Sequence, residues 1–156
     1  MKVLNIHKRI INQPKAIVAL DLATLSKEND AIWPLENWPA MRFKNGIKTG
    51  GHGPIRCTME EYNPSEIIQF RFTKPKGFDG IHKLELKEIS NQKTEIKHTI
   101  DINTSGKAIL SWIFVIRPLH NALIEDAFDK LENRYTANPK STEWNVWVKF
   151  LRKLLK

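Results

Sequence analysis

One cysteine, Cys57, is present in 156 residues, so no disulfide forms within the chain and its stability must come from packing. A lone thiol fits a reducing compartment, and a cytoplasmic location is expected. The first residues, Met1 to His7, contain no apolar h-region and give no sign of a secretory signal. The longest apolar run, residues 108–116, is broken by Ser111 and falls far short of the ~20 residues that span a bilayer. Acidic residues are the scarcer charge: 17 Asp and Glu face 25 Lys and Arg, a net of +8. Residues 140–156 hold five of those cations against Glu143 alone, so the body carries only about half of the excess. That is weak support for nucleic acid, and no nucleic-acid partner is expected. No internal repeat, low-complexity tract or nucleophile elbow is present. Gly50-Gly51-His52-Gly53 lacks the lysine and helix context of a phosphate loop and reads as a connector. No cofactor is expected.

What is there is an ordinary globular balance, 41% hydrophobic and 27% charged, in a chain long enough for one cored domain. Val3–Ile11 has strand character, with Leu4, Ile6 and Ile10 on one face and His7 and Arg9 on the other. Asn12-Gln13-Pro14 starts a short helix that is apolar on more than one side, and Ser26 can cap a second, ended by Trp33-Pro34 and Trp38-Pro39. Strands are then expected at 41–44, 55–61, 68–73, 80–89 and 94–103, each alternating apolar and polar residues. From Lys107 to about Arg134 the period changes to that of a helix, with Pro118 expected to kink it near Ile116 and Arg117. The Ile, Trp, Phe and Val of 108–116 would also suit a strand; helix is favoured. Tyr135–Lys140 reads as a linker to a final amphipathic helix that begins at Ser141-Thr142-Glu143.

This order resembles the START-like, helix-grip fold, and in particular its SRPBCC, polyketide-cyclase-like group. The resemblance is carried by Asn12-Gln13-Pro14, Glu36-Asn37-Trp38-Pro39, Gly51-His52-Gly53-Pro54-Ile55-Arg56, Glu61-Tyr62-Asn63-Pro64, Phe70-Arg71-Phe72, Gly80-Ile81-His82 and Arg117-Pro118-Leu119-His120. The expected fold is therefore α+β. A curved antiparallel sheet of about six or seven strands wraps a long C-terminal helix, two short helices follow strand 1, and an extra amphipathic helix ends the chain. Residues 1–136 would form the ligand-binding domain and 141–156 a basic appendage. The resemblance implies a deep cavity for a hydrophobic or amphipathic small molecule or lipid. It carries over no activity, because such folds include carriers, receptors and aromatase/cyclases.

Three of the five histidines project towards that cavity by parity or helical phase. His82 alternates with Leu84 and Leu86, His98 with Ile96 and Ile100, and His120 shares the helix stripe of Leu123, Ile124 and Phe128. Phe70, Phe72, Ile100, Leu123 and Trp112 are expected to line the same space. The histidines would orient a polar group of the ligand; the alternative is three separate hydrogen-bonded core residues. No local ligand spacing supports a metal site. A cyclase or dehydratase acting through His82 and His98 is a further alternative. It would need a carboxylate to orient a base, and Glu61, on the parity of Cys57 and Met59, is the one to check. Cys57 reads as an inert buried thiol.

The final helix sets Trp144, Trp147, Val148, Leu151, Leu154 and Leu155 on one face, with Lys149, Arg152 and Lys153 around it. Trp144, Trp147, Leu151, Lys149, Arg152 and Lys153 are expected to meet an anionic membrane, the domain itself or a second copy, with docking favoured because a free helix this short is marginal in water.

Overall fold

Alternation at period two becomes five strands in the computed structural model, which describes residues 1–41, 43, 47, 49–50 and 57–155. The elements are β1 (Lys2–Ile11), α1 (Lys15–Leu22), β2 (Cys57–Asn63), β3 (Ile67–Phe72), β4 (Phe78–Ser90) and β5 (Lys93–Thr104). A helix then runs as α2 (Lys107–Ser111), a π-helical turn (Trp112–Ile116) and α3 (Arg117–Asn133), and α4 (Val146–Leu154) follows. The sheet is antiparallel throughout, in the order β1-β5-β4-β3-β2.

Five strands among the described residues replace the six or seven expected. Met41 and Phe43 are buried but carry no strand, while Arg42, Lys44 and the stretch 51–56, with its glycine-rich connector, Ile55 and Arg56, lie outside the described residues. The second short helix is also corrected. Ser26 adopts φ +68°, and the Asp30 carboxylate accepts the N–H groups of Ser26, Ile32 and Trp33. A side chain that gathers three backbone donors holds a compact turn where helical bonds would otherwise form.

Strand β1 turns the face opposite to its apolar one towards the helix. Leu4, Ile6 and Ile10 are exposed, and Asn5, His7 and Arg9 point inward between the buried Val3 and Ile11. Their partners come from α3. Arg9 donates to Glu125 at 2.8 Å, Asp129 at 2.7 Å and Glu132 at 2.6 Å. His7 Nδ1 meets Glu125 Oε1 at 2.6 Å, and its Nε2 lies 3.1 Å from the side-chain oxygens of Asn5 and Asn121. Burial works against the charge on Arg9, but the three carboxylates outweigh it and push the guanidinium further above its ordinary range.

Pro118 cannot donate a backbone N–H, and the wide π turn falls immediately before it, where the helix accommodates the missing bond. That turn places Trp112 inside and Ile113 and Phe114 outside. By length and composition alone the 27 residues Lys107–Asn133 are long and apolar enough to cross a membrane, a test that a core helix also passes. Their second half is instead seated on the sheet through Ile124, Ala127, Phe128 and Leu131 and clamped by Arg9. Gly80 in β4 has φ +142°, and a Cβ there would meet the Asp101 carbonyl oxygen at 2.2 Å, so only glycine permits this close approach of β4 to β5.

Replacing Arg9 with Met should cost about 2–4 kcal/mol of unfolding free energy, below the range for fully buried pairs because water reaches part of the cluster. Urea denaturation of the two forms measures it. A difference under ~0.5 kcal/mol, the range of ordinary surface changes, would refute the clamp.

Candidate functional site

Two neighbouring rows of inward side chains cross the sheet. One runs Phe70, His82, Ile100, Asn5 and the next Ile68, Leu84, His98, His7, as the strand registers dictate. The long helix lies over them and brings His120 down from above. The loop after α1 closes the remaining side with Trp33 and Trp38. Between these walls is a cavity of about 280 Å³.

Of the side chains expected at the cavity, His82, His98, His120, Phe70, Phe72, Ile100 and Leu123 all line it. Trp112 does not. It is buried in a separate cluster with Val3, Phe78, Ile102 and Ala108, because the π turn rotates it towards the far end of β5. Glu61 is also corrected. A β-bulge between Met59 and Glu61 shifts the parity of β2, so Glu61 is exposed and Tyr62 packs against the core in its place. Cys57 is buried, which pushes its thiol up to about 12 and removes its reactivity.

The histidines form a continuous group. The His82 and His98 ring centres are 5.9 Å apart and those of His98 and His120 4.9 Å. His82 stacks on Phe70 at 4.7 Å and lies 5.0 Å from Phe72. His82 Nε2, His98 Nδ1 and His120 Nδ1 have no hydrogen-bond partner among the described residues. Burial lowers His82 to about 4 and His120 to about 3. His98 is held well below its ordinary value by burial and then by the neighbouring histidines. All three rings are therefore neutral at pH 7, each with one nitrogen able to donate and one to accept. Every other described lining residue is apolar or a tryptophan. Among the described residues no group of three or more His, Cys, Asp or Glu is arranged to hold a metal ion.

Four of the five histidines share this interior, His7 on the row of His98; His52 lies outside the described residues. The His7–Glu125 pair is an oriented imidazole and carboxylate, yet it stands behind the cavity wall rather than in it. Sequence patterns gave no hint of it, because β1 turns inward the face that looks solvated. Trp33 and Trp38, which the sequence reading sets against the mouth of the sheet, line the cavity.

The tail docks on the domain. Trp144 packs at 5.4 Å from Trp38, and both indole N–H groups donate to Asp126, at 3.0 Å and 2.7 Å. Arg152 stacks over the Trp38 ring at 4.5 Å, and Val148 and Leu151 are buried. The helix begins at Val146 rather than near 141–143, capped by Asn145, whose side chain accepts the Val148 N–H. Trp144, Leu151 and Arg152 thus face the domain. Trp38 sits between them and the cavity, so the tail braces one cavity wall from outside.

No protein-family model and no curated protein matches the sequence. Solved structures do. An aromatase/cyclase from a Streptomyces species matches with a TM-score of 0.61 at 13% identity, over 88% of this chain and 98% of its own. A START superfamily protein from Mycobacterium smegmatis matches with 0.53 at 9% identity, over 84% and 95%. A conserved protein of unknown function from Enterococcus faecalis matches with 0.59 at 10% identity and covers 99% of this chain, a span that includes the tail, and 85% of its own. At these identities the likeness is one of fold: the chain is an α+β protein with the START-like helix grip.

Two outcomes are expected. Rings that stay neutral in the folded chain but take up protons when it unfolds favour unfolding in acid. Stability is therefore full above pH 6.5 and falls as the pH drops towards 4.5, before ordinary carboxylates protonate. His82→Phe, which conserves the stack, should lessen that slope by roughly a third, because one of three proton-linked rings is gone; melting curves across the range test it, and an unchanged slope would refute it. Asp126→Ala should release the tail, with a loss of about 1–2 kcal/mol. Limited trypsin digestion should then cut at Lys149 and Lys153 several times faster, and equal rates would show that Asp126 is not the anchor.

Proposed function

We propose that this protein binds an uncharged hydrophobic or amphipathic small molecule, or a lipid of that character, inside the grip and carries, senses or sequesters it. One observation carries this reading: an apolar cavity that contains three neutral histidines with unpartnered ring nitrogens and no charged side chain among the described lining residues. Buried polar atoms without partners are rare in folded proteins, since each forfeits on the order of 1–3 kcal/mol. A ligand hydroxyl or carbonyl at the histidine end would satisfy them, with its apolar body against Phe70, Phe72, Leu123 and Trp38. A permanently charged head would find no counter-charge there.

A cyclase-type activity has less support. One structural neighbour is an aromatase/cyclase. In this chain, however, rings protonating near pH 4 and 3 are weak general bases at neutral pH, and the described residues of the lining include no carboxylate to orient one.

Native mass spectrometry of freshly purified protein should show a bound mass. Titration with the uncharged dye N-phenyl-1-naphthylamine should give saturable, one-to-one fluorescence. Leu123→Trp, which fills the cavity, should weaken dye binding at least tenfold. The absence of both a bound mass and saturable dye binding would overturn the proposal. Turnover of an aromatic polyketide mimic that disappears in the His82→Phe, His98→Leu double variant would favour the enzyme instead.

A further inference from the structure

The docked tail leaves a second apolar face uncovered. Phe150 is 52% exposed, Leu154 69% and Val146 84%, although all three belong to one short helix. Trp147 stacks on Phe150 at 5.4 Å and reaches across to the long helix, where its indole N–H donates to the Phe114 carbonyl at 2.7 Å. That bond joins the tail to a matching patch. Phe114 is 55% exposed, with Ile113 beside it on the outer side of the π turn and the exposed Leu110 one turn earlier, in α2. Seven large apolar side chains, on the tail helix and the first turns of the long helix, thus form one surface, and none of them takes part in the core.

Within the two segments that form this surface the charge has one sign. Residues 105–124 contain Lys107 and Arg117 and no acid; residues 144–155 contain Lys149, Arg152 and Lys153 and no acid. Lys107, Arg117, Lys149 and Lys153 are exposed. Glu143 stands just before the tail helix, and Asp126 is engaged by Trp38 and Trp144. Tryptophan and phenylalanine at the centre with lysine and arginine at the rim is the composition of a surface that lies in the headgroup region of an anionic bilayer, aromatic rings at the acyl boundary and cations at the phosphates.

We infer that the outer face of the π turn and of the tail helix, centred on Phe114, Trp147 and Phe150, docks this protein on an anionic lipid membrane. The interaction is peripheral: the inner side of the same helix stays on the sheet, so only side chains enter the interface. It goes beyond the binding of a ligand in the cavity and stands or falls separately. The docking face borders that cavity, since Ile116 of the π turn lines it and Trp38, braced by Arg152, forms another wall.

Co-sedimentation of the full chain with vesicles of phosphatidylcholine and phosphatidylglycerol in equal parts tests this, against vesicles of phosphatidylcholine alone. Binding is expected to the mixed vesicles and to fall as salt is raised. Each cation near the surface contributes about fivefold, so Lys149→Glu with Lys153→Glu should weaken binding by more than tenfold. Phe114→Asp with Phe150→Asp should abolish it, while melting temperature and dye binding stay close to those of the parent, because all four positions are exposed. Absence of binding to the mixed vesicles overturns the inference, as does equal binding by both double variants. So does a dimer, seen by sedimentation equilibrium without vesicles, that Phe114→Asp with Phe150→Asp dissolves; the face would then belong to a second copy.

Discussion

Arg9 reaches from an edge strand to three carboxylates on successive turns of α3, and the position of everything above the sheet follows from that contact. A helix laid on a sheet by apolar packing alone would settle until the space between them closed. Here the β1 side is set by a guanidinium fork and by His7 on Glu125, polar groups with fixed lengths and directions. The apolar contacts of Ile124, Phe128 and Leu131 anchor the same helix among β4, β5 and α1. The cavity lies between this helix, from Ile116 to Phe128, and the sheet. The cluster is costly to desolvate, so its value lies in geometry as much as in net stability.

The interior is graded in polarity. The β1 edge is ionic, the middle holds neutral imidazoles, and the far side is aromatic and aliphatic. Two neighbouring rows of the sheet carry the gradient, with His7 beside His98 and Asn5 beside Ile100. Under the proposed function, such a gradient would orient an amphipathic molecule without a charge in contact with it. The ionic end keeps its charges satisfied internally, and the histidines keep a capacity for hydrogen bonds that the described residues leave unused.

The tail belongs to the same arrangement. Asp126 holds Trp38 from the domain and Trp144 from the tail at once, which makes a cavity wall depend on a segment far along the chain. What α4 presents outward is then the remainder of an apolar surface wider than one docking face needs. A nine-residue helix with apolar residues on two sides can cover a wall and still offer a second surface.

Local pattern was enough for the strands β3, β4 and β5, for the long helix with its break at Pro118, and for seven of the eight cavity positions named. Each rests on a strict period of 2 or 3.6 that burial of one face imposes. The same reasoning failed at Glu61, where one bulged residue reverses parity, and at Trp112, where a π turn changes the helical phase. Both are single-residue events that leave no mark in composition. Strand β1 was legible as a strand, but its inner face was not. Alternation tells that two faces differ, not which is inside, and at an edge strand facing three carboxylates the charged face is the buried one. The tail's apolar stripe was readable as a contact surface, but its partner was not, because Asp126 and Trp38 lie in distant parts of the chain. Periodicity, then, sets the class of fold and the apolar lining. The ionic hinge, the neutral state of the histidines and the seat of the tail arise from contacts between residues far apart in sequence, and they come into being only when the chain has closed on itself.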